Sequence, residues 1–364
     1  MKHLAYKYSF DQLFAGINQQ VVTGYVTRRD NGNLALFDYN NHCQFSRYWN
    51  DFTLMSRGII LDLEKKCVVA LPMPKFFNLG EDGFRLDQLP DHPYTVWPKV
   101  DGSCIIVYHY GGKWRCSTRG SFDSEQALWA QEILDNNNTN RFDENLTYVF
   151  ELIHPRNQIV VKYDGLTCLM LLTAFNRNTF MEQPYNEISY IAIFNDKIQI
   201  IEGVQTFKSP QDIVEYCGTS KKNEEGFVIQ YHNGIRVKVK TEKYKQIHRT
   251  ISDFSNKSIW ENILNGNSKQ EILYSLPDEF LVEFNTYWDK MVNQRDIEYN
   301  NVINAFNNIK HLKTRKEFAL EARSSYPHMM ALLFMLLDNY SHDEIKRQIL
   351  LGLKPENYEK FGRF

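Results

Sequence analysis

Lys99-Val100-Asp101-Gly102-Ser103 sets one lysine at the entrance of an Asp-Gly turn, between the run Tyr94–Pro98 and the apolar run Cys104–Tyr110. A lysine held rigidly there, partly desolvated and aimed into a cleft, meets the conditions that turn an ammonium into a nucleophile. Lysine before an Asp-Gly turn is by itself most often a solvated loop. The residues that accompany it along the chain argue for more.

In Ile235-Arg236-Val237-Lys238-Val239-Lys240, strand alternation puts three apolar residues on one face and three cations on the other. Such a row is either a solvated sheet face or a grip for phosphates, and like charges so close repel one another. Upstream, Glu225 precedes Gly226 and the apolar run Phe227–Tyr231, where it is either a loop glutamate or an oxygen ligand for a hard cation. Glu151 interrupts the apolar run Tyr148–Leu152; a carboxylate buried there needs a donor, and on an edge strand it faces water. Arg57 precedes a strand, Lys75 stands beside Phe76 and Phe77, and Arg119 follows a second hairpin strand. Arginine suits bidentate phosphate recognition, and a phenylalanine can stack on a base.

The elements that must carry these residues fall into two textures. Up to about residue 245, short β-rich runs alternate with turn signals. Gly111-Gly112 separates Cys104–Tyr110 from Trp114–Thr118, and Asn233-Gly234 separates Phe227–Tyr231 from Ile235–Lys240. Beyond Ile247, apolar residues recur at helical spacing in Ser258–Leu264, Asp278–Asn293, Tyr299–Leu312 and Arg315–Ser324, with Pro277 and Pro327 as punctuation. The run Met329–Leu337 is expected to be buried core. The change of periodicity predicts a β-rich domain over 1–250 and an all-helical domain over 251–364.

Taken together, R-G at Arg57, K-F-F-N at 75–78, K-x-D-G at 99–102, F-E-L at 150–152, E-G-F-V at 225–228 and V-K-V-K at 237–240 resemble the covalent nucleotidyltransferases, which include DNA ligases, RNA ligases and mRNA capping enzymes. Within that superfamily, S-R-G-I, P-K-F-F-N and S-x-R-G-S-F-x-S-E-Q-A are similar to the phage RNA ligase 1 family, which repairs broken tRNA. The resemblance implies an α+β fold, an antiparallel-sheet nucleotidyltransferase (adenylyltransferase) domain followed by a small all-α domain. It implies that Lys99 takes AMP from ATP, and that Lys238 and Lys240 act on the α-phosphate. It further implies that Arg57, Lys75, Phe77, Gly102, Arg119 and Glu151 help hold the nucleotide, Glu151 through the ribose hydroxyls. Glu225, with Glu151 and Asp101, would serve Mg²⁺ or Mn²⁺. At Arg119 the family typically has lysine; arginine keeps the charge with a different fork geometry. The implied partner is RNA with 5′-phosphate and 3′-hydroxyl ends, such as a broken tRNA anticodon loop, and the expected state is a monomer.

The alternatives are a DNA ligase or capping-type enzyme, which usually continues into a β-rich domain, and an RNA-binding protein that lost catalysis. The bulk numbers narrow the field. A formal charge of −2 excludes a polycation that binds nucleic acid through bulk charge. Six scattered cysteines with no C-x-x-C pair argue against a structural zinc site and a disulfide framework. Met1–Phe14 is unlike a signal peptide, and the longest apolar runs are too short to span a bilayer. The expected location is cytoplasmic, in a phage-infected bacterial host, with no membrane partner.

Overall fold

Turn chemistry and strand alternation organise the first 248 residues into three sheets. The computed structural model describes residues 1–193, 195–204, 206–251, 255–276 and 280–355. Its strands are, in chain order, β1 (Val26–Asn31), β2 (Leu34–Tyr39), β3 (Arg57–Asp62), β4 (Cys67–Ala70), β5 (Phe77–Asn78) and β6 (Tyr94–Lys99). There follow β7 (Ser103–Tyr110), β8 (Lys113–Thr118), β9 (Leu146–Ile153), β10 (Cys168–Asn176), β11 (Ile198–Ile200), β12 (Gly226–Tyr231) and β13 (Arg236–Lys240). The first sheet runs β1-β2-β3-β4, the second β11-β10-β9-β7-β8 and the third β5-β13-β12-β6. Neighbours are antiparallel except β10 with β11 and β13 with β5.

Both hairpin signals form hairpins. Gly111 and Gly112, at φ +63° and +73°, turn β7 into β8, the conformation a two-residue loop demands. Between β12 and β13 the Tyr231 N–H donates to the Ile235 carbonyl, closing a three-residue loop inside which the Gly234 N–H donates to the Tyr231 carbonyl.

The third sheet shows why one face is left for chemistry. Val96, Phe227, Ile229, Tyr231, Val237 and Val239 are buried against Ile213 and Cys217 of the helix Pro210–Thr219. The alternate residues of the same strands point the other way, toward the second sheet. In the second sheet, Ile105, Phe150, Leu152, Leu169 and Leu171 pack beneath the helix Glu125–Asp135, so its opposite face meets the third sheet across a cleft. Burying these aliphatic and aromatic side chains contributes roughly 1.5–3 kcal/mol each and fixes the strand register that aims the polar ones.

A second compact unit spans Arg249–Phe364. Val302, Ala305, Ile309, Phe318, Ala322, Leu333, Ile345 and Ile349 form its core, and reciprocal caps start helices at Ser255, Thr314 and Ser341. Two helices expected separately, Asp278–Asn293 and Tyr299–Leu312, are here one helix over Leu281–Ile309; Pro277 and Asp278 lie outside the described residues. The stretch Asn293–Glu298 breaks the apolar stripe but contains no Gly or Pro, so nothing stops the backbone ladder. In the expected core run Met329–Leu337, Leu333 is fully buried and six neighbours pack half-buried against the same core, while Met330 and Ala331 are exposed. Among the described residues, no helix is long and apolar enough to cross a membrane.

Candidate active site

Lys99 ends β6, and the chain then crosses from the third sheet to the second, entering β7 at Ser103. Asp101 locks this crossover. Its Oδ2 accepts the backbone N–H groups of Val160 and Val161 at 2.9 and 2.8 Å, and its Oδ1 accepts the Tyr244 hydroxyl at 2.8 Å. The Asp101 N–H donates to the Tyr163 hydroxyl at 2.9 Å. Gly102 packs against β9 so closely that a Cβ would stand 2.3 Å from the Leu152 carbonyl oxygen. The turn is therefore rigid, and Lys99 is the residue it presents.

Strand register supplies its company. In β12, Gly226 sits between Lys99 on β6 and Lys240 on β13. Its φ is +150°, and a Cβ there would lie 2.1 Å from the Val239 carbonyl oxygen, so only glycine lets the three strands close at this row. The preceding Glu225 is 2% exposed in its position beneath both lysines. Its carboxylate meets Lys99 Nζ at 2.7 Å and Lys240 Nζ at 3.1 Å. One row further, Val228 separates Trp97 from Lys238, and one row beyond that Gln230 faces Arg236.

The resulting cleft encloses about 250 Å³ and is lined by Lys99, Gly102, Arg57, Glu151, Lys238 and Gln230 among polar and turn residues, with Met73, Phe76, Trp97, Cys104, Leu172, Ile201 and Val228 as apolar wall. Arg57 and Lys238 approach the Phe76 ring, their charged centres 5.8 and 4.7 Å from its centroid. Leu172 reaches the wall because it is the extra residue where the pairing of β10 with β9 shifts. Glu151 belongs to the cleft-facing side of β9. Burial raises its carboxyl and repulsion from Glu225 adds to this, while Lys99 and Arg57 oppose them, leaving it pushed up to about 7.

Two expected residues, Glu225 against Lys99 and Lys240 paired with Glu225, adjoin the cleft without lining it, and four others stand elsewhere. Asp101 faces away from the cleft with both oxygens bonded to the fold, so the expectation that it ligates a metal is corrected to a brace for the turn. Phe77 is 7% exposed, stacked on Phe84 and edge-on to Trp49; Phe76, just before the strand, lines the cleft instead. Lys75 is buried at 6% exposure, with Nζ 5.3 to 5.5 Å from the ring centres of Tyr39, Trp49 and Phe77. Arg119 donates to the Tyr39 hydroxyl at 2.8 Å and pairs with Asp38 at 3.4 Å. Sequence reasoning missed Phe76 as the cleft aromatic, and missed Trp97, Gln230 and Glu182, which share no motif.

Among the described residues no three His, Cys, Asp or Glu side chains stand together as a metal cage. Glu151 lines the cleft, and the buried Glu225 lies beneath Lys99 at its edge, close enough for its charge to help raise a Glu151 carboxyl that burial already lifts. A cleft-lining carboxylate with a second one close behind it fits Mg²⁺ or Mn²⁺, hard ions that keep water and phosphate oxygens as their other ligands.

Comparison with known proteins adds an independent line. A family model described as RNA ligase matches residues 55–244, more than half of the chain. A protein of Autographa californica nuclear polyhedrosis virus named as a bifunctional polynucleotide kinase/RNA ligase is 28% identical over 237 residues, 58% of this chain and 33% of that protein. A protein of Thermovibrio ammonificans named as an RNA ligase is 26% identical over 214 residues, 55% of this chain and 54% of its own. This chain thus spans about a third and about half of the length of those two relatives. Among solved structures, one described as an ATP-dependent DNA ligase from Aquifex aeolicus aligns over 90% of this chain and 99% of its own, with 13% identity and a TM-score of 0.49.

Proposed function

Because the chain belongs to the RNA ligase family whose model spans residues 55–244, we propose that it is an ATP-dependent RNA ligase that seals 5′-phosphate to 3′-hydroxyl RNA ends through a lysyl-AMP intermediate. The observation that carries this reading is the placement of Lys99 Nζ, presented by a locked turn into a cleft and 2.7 Å from the buried carboxylate of Glu225.

The chemistry follows from that contact. Lys99 must lose a proton before its lone pair can attack, and Glu225 is the acceptor within reach. The amine then bonds to the α-phosphorus of ATP as the bond to the bridging oxygen breaks and pyrophosphate leaves. Lys238 and Lys240, with Arg57, meet the negative charge that gathers on the phosphates, fixed in advance by the sheet. Glu151 accepts hydrogen bonds from the ribose hydroxyls. In the second step a 5′-phosphate oxygen of RNA attacks the same phosphorus, the N–P bond breaks and Lys99 is regenerated. In the third, a 3′-hydroxyl attacks the activated 5′-phosphorus and AMP departs. Glu225 and Glu151 would hold a divalent ion, whose chemical contribution is to neutralise phosphate charge.

We further assign the helical unit after His248 to recognition of a folded RNA, with a broken tRNA anticodon loop as substrate. The support is the family's resemblance together with the confinement of every cleft-lining residue to the first unit. Incubation with α-labelled ATP and Mg²⁺, then with 5′-phosphorylated RNA, tests the reading. The protein should take up label covalently, transfer it to RNA and release AMP on sealing. Tight binding of ATP without covalent label would identify a binding module and sink the proposal, and equal sealing of a cleaved tRNA and an unstructured strand would sink the tRNA assignment.

A further inference from the structure

The end of the cleft away from Lys99 holds a second polar arrangement, which phosphate chemistry does not use. Gln230 lies four residues along β12 from Gly226, about 13 Å at the usual strand rise. Its Oε1 accepts the indole N–H of Trp97 at 2.8 Å, and its Nε2 donates to Glu182 Oε1 at 3.4 Å. Glu182 is itself pinned: it accepts the Thr173 hydroxyl at 2.7 Å and pairs with the Arg236 guanidinium, both side chains of that pair being 7% exposed.

An indole nitrogen can only donate and a carboxylate can only accept. The Gln230 amide is therefore forced into one orientation, oxygen toward Trp97 and nitrogen toward Glu182. A flip would set acceptor against acceptor at one end and donor against donor at the other. These two bonds use one N–H and one lone pair, so each amide atom keeps one further bond to give. Gln230 lines the cleft, with Val228, Leu172 and Ile201 as apolar wall suited to the faces of a ring.

We propose that Gln230 reads the base of the nucleotide, and that its clamped amide selects adenine over guanine. The inference rests on the ATP-consuming reading above, and deepens it. Adenine offers an amino donor beside a ring acceptor, the complement of one carbonyl lone pair beside one N–H. Guanine presents the reverse order on one edge, carbonyl oxygen beside N–H, and two acceptors on the other. An amide free to turn could follow that reversal; one held by Trp97 and Glu182 cannot. The span from Lys99 to Gln230 matches a nucleotide laid along β12, its α-phosphate at the lysines and its base at the amide. A wrong base leaves buried polar atoms unpaired, which is the origin of large discrimination.

The experiment measures covalent nucleotide transfer to the wild-type protein from ATP, GTP and the purine riboside triphosphate that lacks the amino group, alongside equilibrium binding of each. ATP should exceed GTP in kcat/KM by about 100-fold or more, and the analogue should lose about tenfold. Gln230→Met should compress the ATP-to-GTP ratio toward one. Trp97→Phe, which frees the amide oxygen, should raise GTP use relative to ATP. Equal use of ATP and GTP by the wild type would overturn the proposal, and that outcome needs no variant to fold. So would a Gln230→Met effect of the same size on all three nucleotides, the signature of a structural role. Binding separates the two readings. A preference for ATP that vanishes in Gln230→Met, with no covalent adduct from any nucleotide, keeps the base assignment and defeats the ligase reading. An adduct formed alike from ATP and GTP does the opposite.

Discussion

Lys75 and Lys99 are both turned in from solvent, and what encloses them differs in kind. Lys75 donates to Gln44 Oε1 at 3.5 Å and is ringed by Tyr39, Trp49 and Phe77, whose π-faces attract a cation. Lys99 keeps 21% of its side chain open and touches a carboxylate at 2.7 Å. The cage holds an ammonium still; the carboxylate holds it still, can take its proton, and leaves one side open to an electrophile. Enclosure alone does not make a lysine reactive. What Lys99 has in addition is a place in the wall of the cleft, which Lys75 lacks.

The largest expected effect breaks the comparison most directly. Lys99→Ala should abolish covalent AMP uptake, a loss of at least about 10³-fold, and peptide mapping of the labelled wild type should find AMP on Lys99. AMP on Lys75 would reverse the comparison. Next come the neighbours: Lys238→Ala and Lys240→Ala should each slow adenylylation at saturating ATP by about 10²-fold, roughly 2.7 kcal/mol. A normal maximal rate with only a raised ATP requirement would show that these lysines bind ground state and transition state alike.

A third effect lies in pH. With its carboxyl at about 7 against an ordinary 4.5, Glu151 keeps a proton in the folded protein over a range where the unfolded chain has released it. The folded state therefore binds more protons between those values. The stability this group contributes is whole below 4.5 and is lost as pH rises through 7, by at most about 3 kcal/mol. Glu151→Gln should flatten that part of the stability curve, read as urea midpoints at pH 5.5 and pH 8. Unchanged pH dependence would mean that the carboxylate is already compensated. The smallest effect belongs to the cage. Lys75→Met should cost about 1 kcal/mol in denaturant stability, the scale of one enclosed cation–π site, while label still maps to Lys99. A loss of label with stability intact would place Lys75 in the chemistry.

The parts of the site that were legible before the fold are those whose chemistry sits in short motifs with a phase. Alternation in Arg236–Lys240 is long enough to say which side each cation takes, and the Asp-Gly turn marks where Lys99 leaves its strand. Where the element is short the phase is lost. Strand β5, Phe77–Asn78, is too short for periodicity to say which of Phe76 and Phe77 faces the cleft. Glu182 was illegible for another reason: its partners Gln230 and Arg236 are 48 and 54 residues away, and only the folded sheets bring them together. The metal role of Asp101 came with the resemblance, whereas in the fold the backbone amides of Val160 and Val161 claim its carboxylate. In the helical unit the error was one of continuity, since a polar interruption without Gly or Pro leaves Leu281–Ile309 unbroken.

The Asp101 brace has a consequence for slow motion. The amide hydrogens of Val160 and Val161 are held by one carboxylate oxygen, so they trade with solvent deuterium only when that carboxylate lets go. The same carboxylate ties the Tyr244 hydroxyl, just past the strand that carries Lys238 and Lys240, to the loop that carries Lys99. Deuterium uptake at two valines remote from any phosphate thus becomes a clock for the opening of the loop, readable without substrate and without catalysis.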